Sequence, residues 1–135
     1  MIAYQVENNI SASEFKQLLV KSTLGERRPI DDFERIKEMV KNANLIITAR
    51  DGIKLVGIAR SITDFVYCTY LSDLAVDNQY QKQGIGKELI RFTKNQTPNA
   101  TLILLAAPKA VDYYPHIGMK NHNACFLLKD KNHLK

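Results

Sequence analysis

The stretch from Tyr67 to Gly86 constrains this chain more than any other. An alternating run, Tyr67 to Val76, reads as a strand, passes through the polar linker Asp77 to Tyr80, and enters Gln81-Lys82-Gln83-Gly84-Ile85-Gly86. That segment opens a helix to about Asn95, with Ile85, Leu89 and Phe92 spaced for burial. Thr101 to Ala106 is a short, wholly apolar run, the pattern of a strand covered on both faces. Strict alternation along the first strand puts Cys68, Tyr70, Ser72, Leu74 and Val76 on one face. Tyr67, Thr69, Leu71, Asp73 and Ala75 fall on the other.

The flanking sequence fills in the remaining elements. Met1 to Glu7 reads as a strand. Ser11 and Glu14 sit at capping-box spacing, with Ile10 and Phe15 placed as a hydrophobic staple, and Leu18 and Leu19 continue the apolar stripe. Thr23 to Pro29 breaks that helix. A second helix starts at Asp31 and Glu34, presents Phe33, Ile36, Met39 and Val40 on one face, and stops at Asn42 or Asn44. Leu45 to Ala49 and Leu55 to Ile62 read as two strands joined by an Asp51-Gly52 turn. Pro108 starts a short helix that should end by Pro115, because a residue before proline avoids the helical region. Asn123 to Leu128 reads as a last strand. The order β-α-α-β-β-β-α-β-α-β predicts a mixed sheet with helices on both faces, an α/β (α+β) arrangement in one domain over residues 1–135.

Length and composition agree with that reading. A chain of 135 residues with 45% hydrophobic and 24% charged residues can build a core without disulfides. Cys68 and Cys125 lie in apolar, strand-like stretches and read as buried reduced thiols; neither belongs to a metal-ligand spacing. No segment approaches the roughly 18 apolar residues of a membrane span, and Met1 to Glu7 lacks a signal-peptide layout. A cytoplasmic setting without a membrane partner is expected. The net charge of +5 is dispersed among acids, so no nucleic-acid-binding patch stands out, although a basic surplus suits a phosphorylated ligand.

The chemistry concentrates at Gln81 to Lys87. The first turn of a helix leaves several N–H groups unpaired at the positive end of the peptide dipoles. Gly84 and Gly86 let a phosphate approach them, and Lys82 and Lys87 bracket the loop with positive charge. A diphosphate fits; a purely structural turn is the competing explanation. The loop is not a P-loop, lacking the Lys-Ser/Thr ending, nor a dinucleotide fingerprint, lacking the third glycine.

A strand, a short polar linker and Gln/Arg-x-x-Gly-x-Gly/Ala opening a helix resemble the signature of the GNAT N-acetyltransferase superfamily. Asp73-Leu74-Ala75-Val76 followed by Gln81 to Gly86 matches it without a gap, and Ala110 to Met119 looks like that family's second motif. The resemblance implies a mostly antiparallel mixed sheet splayed at its centre, and acetyl-CoA as cosubstrate without a metal. It implies that the backbone of Leu74, Ala75 and Val76 holds the pantetheine arm. Gln81, Lys82, Gln83, Gly84, Ile85, Gly86 and Lys87 would hold the pyrophosphate. An amine, on a small molecule or a protein, would attack the thioester directly. Tyr114 occupies the position of the family's frequent general acid, with Tyr113 the weaker choice. Asp73 and His116 are the choices for a base, each with a plain structural role as its alternative. Three departures stand out: Pro115 where the helix usually continues, Met119 for an aromatic residue, and Ala107 or Pro108 for an asparagine. The loop from Ser22 to Asp32 lies where the family lines its acceptor site, and carries both signs of charge. Dimerisation is frequent in the family, and Ala124 to Leu128 fits either such an edge or internal core. A non-catalytic acyl-CoA-binding or sensing module is the alternative function.

Overall fold

The computed structural model describes all 135 residues. They form two units, Met1–Leu105 and Ala106–Lys135. The first contains β1 (Ile2–Val6), α1 (Ala12–Lys21), α2 (Phe33–Asn42), β2 (Leu45–Asp51), β3 (Lys54–Thr63), β4 (Cys68–Val76), α3 (Ile85–Gln96) and β5 (Thr101–Ile103). Single 3₁₀ turns at Leu24–Arg27 and Asn78–Tyr80 punctuate it. The sheet runs β1-β2-β3-β4-β5; β4 and β5 are parallel and every other pair is antiparallel.

Local signals explain most boundaries. Ser11 caps α1 by accepting from the Glu14 N–H at 3.1 Å, and Ile10 and Phe15 are both buried in the same core. The Glu14 carboxylate turns to Arg50 at 2.8 Å. The α2 cap is Asp32, accepting from the Arg35 N–H at 3.1 Å, one residue later than expected. Phe33 therefore takes the first helical position and stays 39% exposed, with the Lys16 ammonium 6.0 Å from its ring centre, while Ile36 and Val40 carry the buried face.

Two cores sandwich the sheet. Phe15, Leu18, Leu19, Ile36 and Val40 pack with Ile46, Ile58 and Ala75 on one face. Ile85 and Leu89 of α3 pack with Leu45, Ile47, Ala59 and Leu71 on the other. Burial of each such large aliphatic side chain contributes about 1.5–3 kcal/mol.

The decisive irregularity lies in β4. Arg60 pairs with Asp73 but Ser61 pairs with Leu71, so Ser72 is an extra residue, a β-bulge. The bulge reverses the parity of the strand: Leu71 belongs to the α3 core and Ala75 to the α1/α2 core. The uniform alternation expected from the sequence, with Leu71 and Ala75 on one face, is therefore broken at Ser72. A bulge also bends its strand, and the β4–β5 ladder holds only from Cys68↔Thr101 to Tyr70↔Ile103. Beyond Tyr70, β4 has no partner on that side, and this is the splay.

β5 is accordingly shorter than the apolar run that encodes it. Leu102 and Leu104 pack on the α3 core, whereas Ile103 and Leu105 remain 54% and 46% exposed, so one face is covered rather than two.

The second unit holds a 3₁₀ turn at Pro108–Ala110, α4 (Tyr113–His116) and a 3₁₀ turn at Lys131–His133. Pro115 lies inside α4 rather than ending the helix before it. It is the third helical residue, where a missing N–H costs no intrahelical bond. The Met119 N–H closes the turn onto the Tyr114 carbonyl at 3.0 Å. Asn123 to Leu128 forms no strand, and Phe126, Leu127 and Leu128 are exposed. Apolar residues alone do not make a strand when no neighbouring backbone pairs with them. Cys68 and Cys125 are both exposed, correcting the expectation of buried thiols.

Candidate functional site

β4 delivers its last residues to the start of α3 through a braced linker. The Asp77 N–H donates to the Val56 carbonyl at 2.8 Å, and its buried carboxylate accepts from the Gln79 N–H at 2.9 Å. Tyr80 donates its hydroxyl to Asp51 at 2.7 Å, and the Lys54 ammonium lies 5.0 Å from the ring centre. The hydrogen bond to Asp51 holds the Tyr80 hydroxyl above its ordinary pKa, so it stays neutral. The Gln81 side-chain amide donates to the Val76 carbonyl at 3.2 Å and to Asn78 Oδ1 at 3.0 Å.

Two residues of the loop take the left-handed conformation, Lys82 at φ 64° and Gly84 at φ 81°. Such a backbone turns N–H groups inward into a concavity that suits an anion. A Cβ on Gly84 would meet nothing within 4 Å, so the glycine answers a backbone requirement and the space before it is open. Gln81, Lys82, Gln83, Gly84 and Lys87 are exposed, Gly86 is half-buried, and Ile85 is buried as the inward anchor of α3. The one acidic side chain of the first turn, Glu88, pairs with Arg91. An open, cationic helix start with its first N–H groups unpaired fits a pyrophosphate.

Along the end of β4 that lacks a partner on the β5 side, Ala75 is buried and Leu74 and Val76 are half-buried on the α3 side. Asp73 is fully buried. One of its oxygens accepts from Arg28 Nε and the other from Arg60 Nε. Arg60 also donates to the Met39 carbonyl at 3.0 Å and to Ser72 Oγ at 3.2 Å, and its guanidinium stacks 6.0 Å from the Phe15 ring centre. Arg28 donates to the Ser72 carbonyl at 2.9 Å. Asp73, one of the two choices for a base, is therefore the centre of an arginine pair, as its structural alternative anticipates.

Arg28 falls in the loop expected to line the acceptor site, but nothing in the expectations above joins it, Arg60 or Ser72 to Asp73. A signal existed: Arg60 interrupts the apolar strand Leu55 to Ile62, and an arginine buried there needs a carboxylate nearby.

In the second unit, Tyr114 is half-buried and its ring meets Tyr113 edge-on at 5.2 Å. Burial, then the neighbouring Tyr113, raises the Tyr114 hydroxyl above its ordinary pKa. His116 is exposed at the end of α4. No cluster of His, Cys, Asp and Glu is arranged for a metal ion, and no helix is long and apolar enough to cross a membrane.

Comparison with known proteins gives one consistent family. Residues 11–129 match the acetyltransferase (GNAT) domain. An uncharacterized N-acetyltransferase, ycf52, of Pyropia yezoensis is 31% identical over 117 residues, which cover 82% of this chain and 65% of that protein. The chain thus spans slightly less than two thirds of that relative. Among solved structures, a GNAT-family acetyltransferase from Streptococcus pneumoniae TIGR4 aligns with a TM-score of 0.77 at 21% identity, over 96% of this chain and all (100%) of the other. The aminoglycoside N-acetyltransferase AAC(6')-Iy in complex with CoA aligns with a TM-score of 0.70 at 14% identity, over 97% and 95% of the two chains. The splayed β4, the glycine-led start of α3 and the family match across both belong together: this chain is a member of the GNAT acetyltransferase family.

Proposed function

We propose that this chain transfers an acetyl group from acetyl-CoA to a primary amine, on a small molecule or a protein, by direct attack of the amine on the thioester. The observation that carries the reading is the join of β4 to α3. A strand end without a partner on its β5 side, able to take the pantetheine amides as a further strand would, runs within a few residues into an open cationic helix start suited to a pyrophosphate.

Within this reading Leu74, Ala75 and Val76 hold the pantetheine through their backbone, and Gln81 to Lys87 hold the pyrophosphate. Lys82 and Lys87 add charge; Ile85 fixes the helix to the sheet. Tyr114, at the position of the family's frequent general acid, gives its proton to the departing thiolate; its hydroxyl, raised above its ordinary pKa by burial, carries that proton at neutral pH. We assign the amine's proton to water rather than to Asp73, because both Asp73 oxygens already accept guanidinium N–H groups.

That occupied carboxylate is also the one observation favouring a non-catalytic acyl-CoA-binding module. Titration with coenzyme A, followed by acetyl-CoA turnover against a broad amine panel, separates the two. Saturable binding that Gly84→Glu abolishes, with acetyl transfer to at least one amine, is the expected result. Binding without transfer leaves the module; no binding by the wild type, or equal binding by Gly84→Glu, removes the cradle.

A further inference from the structure

We infer that Arg28 is a positioning residue that holds the bulge of β4 and so couples the loop between α1 and α2 to the gap beside β5. The inference rests on the coenzyme A reading above only for what fills the gap.

Ser72 has no opposite residue in β3, and the ladder to β5 has already ended at Tyr70. A bulged residue loses its ladder partners, so its polar groups must be satisfied elsewhere. Its carbonyl accepts from Arg28 Nη2 at 2.9 Å, and its hydroxyl accepts from Arg60 Nη2 at 3.2 Å. Both guanidiniums continue onto Asp73, the next residue.

The two arginines differ in what they add. Arg60 lies in β3, 5% exposed, and already supplies one positive charge to the buried carboxylate. A second cation is not needed for neutrality and brings its own desolvation cost. What Arg28 adds is the Ser72 carbonyl and a connection to another part of the chain. Its Nη1 donates to the Arg27 carbonyl at 2.9 Å, tying the guanidinium to its own loop. That loop is itself ordered. Gly25 is buried, with the Leu19 carbonyl oxygen 3.1 Å from where its Cβ would be. The Arg28 N–H donates to the Gly25 carbonyl at 3.3 Å, and Leu24 and Ile30 pack on the α1/α2 core. A displacement of this loop is therefore transmitted to the strand immediately before Leu74.

The test compares wild type, Arg28→Met, Arg28→Lys and, as a control, Arg50→Met. Arg50 bridges Glu7 and Glu14 at 2.6 and 2.8 Å and forms no hydrogen bond or ion pair with β4, so its loss should lower the melting temperature without touching the gap. Two quantities are read: amide hydrogen exchange in residues 71–76 and 24–30 without ligand, and the dissociation constant for coenzyme A. Arg28→Met should speed exchange in both segments about tenfold and weaken coenzyme A about tenfold, as expected for loss of charge-assisted hydrogen bonds. Arg28→Lys should recover little, because an ammonium cannot reach the Ser72 carbonyl and Asp73 with a planar fork. Unchanged exchange in 71–76, or a change no larger than in Arg50→Met, overturns the inference. Altered exchange with unaltered affinity overturns the coupling to the gap. If the wild type does not bind coenzyme A, the function reading fails separately, and the ligand-free exchange still decides whether Arg28 holds the bulge.

Discussion

Gly57 of β3 lies directly beneath Ile85, the first residue of α3: a Cβ at position 57 would stand 3.1 Å from Ile85 Cγ2 and 3.0 Å from Leu89 Cδ1. The sheet and α3, whose start is the proposed phosphate cradle, approach as closely as a glycine permits. This contact fixes how closely the first turn of α3 approaches β3.

Gly57→Ala should therefore act on stability and ligand together. Leu89 Cδ1 is a side-chain end that can turn away, whereas Ile85 Cγ2 and, at 3.3 Å, Ala49 Cβ sit close to the backbone. Part of the clash therefore remains and costs about 1–2 kcal/mol as mild overpacking. Lifting the first turn of α3 should also weaken coenzyme A severalfold. Urea denaturation and a coenzyme A titration measure the two; a variant with native values in both would show that Ile85 and Leu89 yield without moving the helix.

Ser61 offers the opposite kind of change. Its hydroxyl is fully buried and is the one buried side-chain polar atom without a hydrogen-bond partner. An unsatisfied buried hydroxyl costs about 1 kcal/mol or more. Ser61→Ala removes that cost and leaves almost no cavity, so the midpoint of urea unfolding should rise with its slope unchanged. A lower midpoint would mean that the hydroxyl has a partner, such as a buried water.

Glu7 makes stability depend on acid. The hydrogen bond from Arg50 leads the causes that lower its carboxyl from 4.5 to about 2, with Thr48 and Gln5 adding further donors. A carboxyl lowered by folding contributes stability that is fully present above the unfolded value and is lost as pH falls from about 4.5 towards 2. Glu7→Gln should thus be less stable than wild type at pH 7, and the difference should shrink through that window. A difference that stays constant between pH 6 and pH 2.5 would assign the effect to packing instead of charge.

The order of strands and helices up to β5 was legible because it is written in local signals: the cap at Ser11, the Asp51-Gly52 turn, the periodicity of α3. What the sequence did not reveal depends on partners remote in the chain. The bulge at Ser72 has no glycine to mark it; it exists because Arg28 and Arg60, 44 and 12 positions away, satisfy the groups it leaves over. Asp73 kept two readings, base or ion-paired acid, for the same reason, its arginines being invisible in the strand alone. Ala124 to Leu128 shows the converse, a run with strand composition that lacks a ladder partner. The proposed cradle was the easiest part of the candidate site to read, since its residues, Gln81 to Lys87, are contiguous.

Tyr114 provides the sharpest test of catalysis. A general acid must be protonated to donate, so turnover falls as pH rises through its pKa. Burial raises the Tyr114 hydroxyl above its ordinary value of 10.0, with the neighbouring Tyr113 adding to the shift. The turnover plateau should therefore extend beyond pH 10 before declining on the alkaline side. Tyr114→Phe keeps the ring and removes only the hydroxyl. It should lower kcat about a hundredfold, the usual scale of a general-acid contribution, and leave the dissociation constant for coenzyme A unchanged. The residual rate should no longer decline above pH 10, because the group whose ionisation caused the decline is gone. A variant with wild-type kcat, or one that keeps the alkaline decline, would take Tyr114 out of the proton transfer and leave the thiolate to be protonated by water.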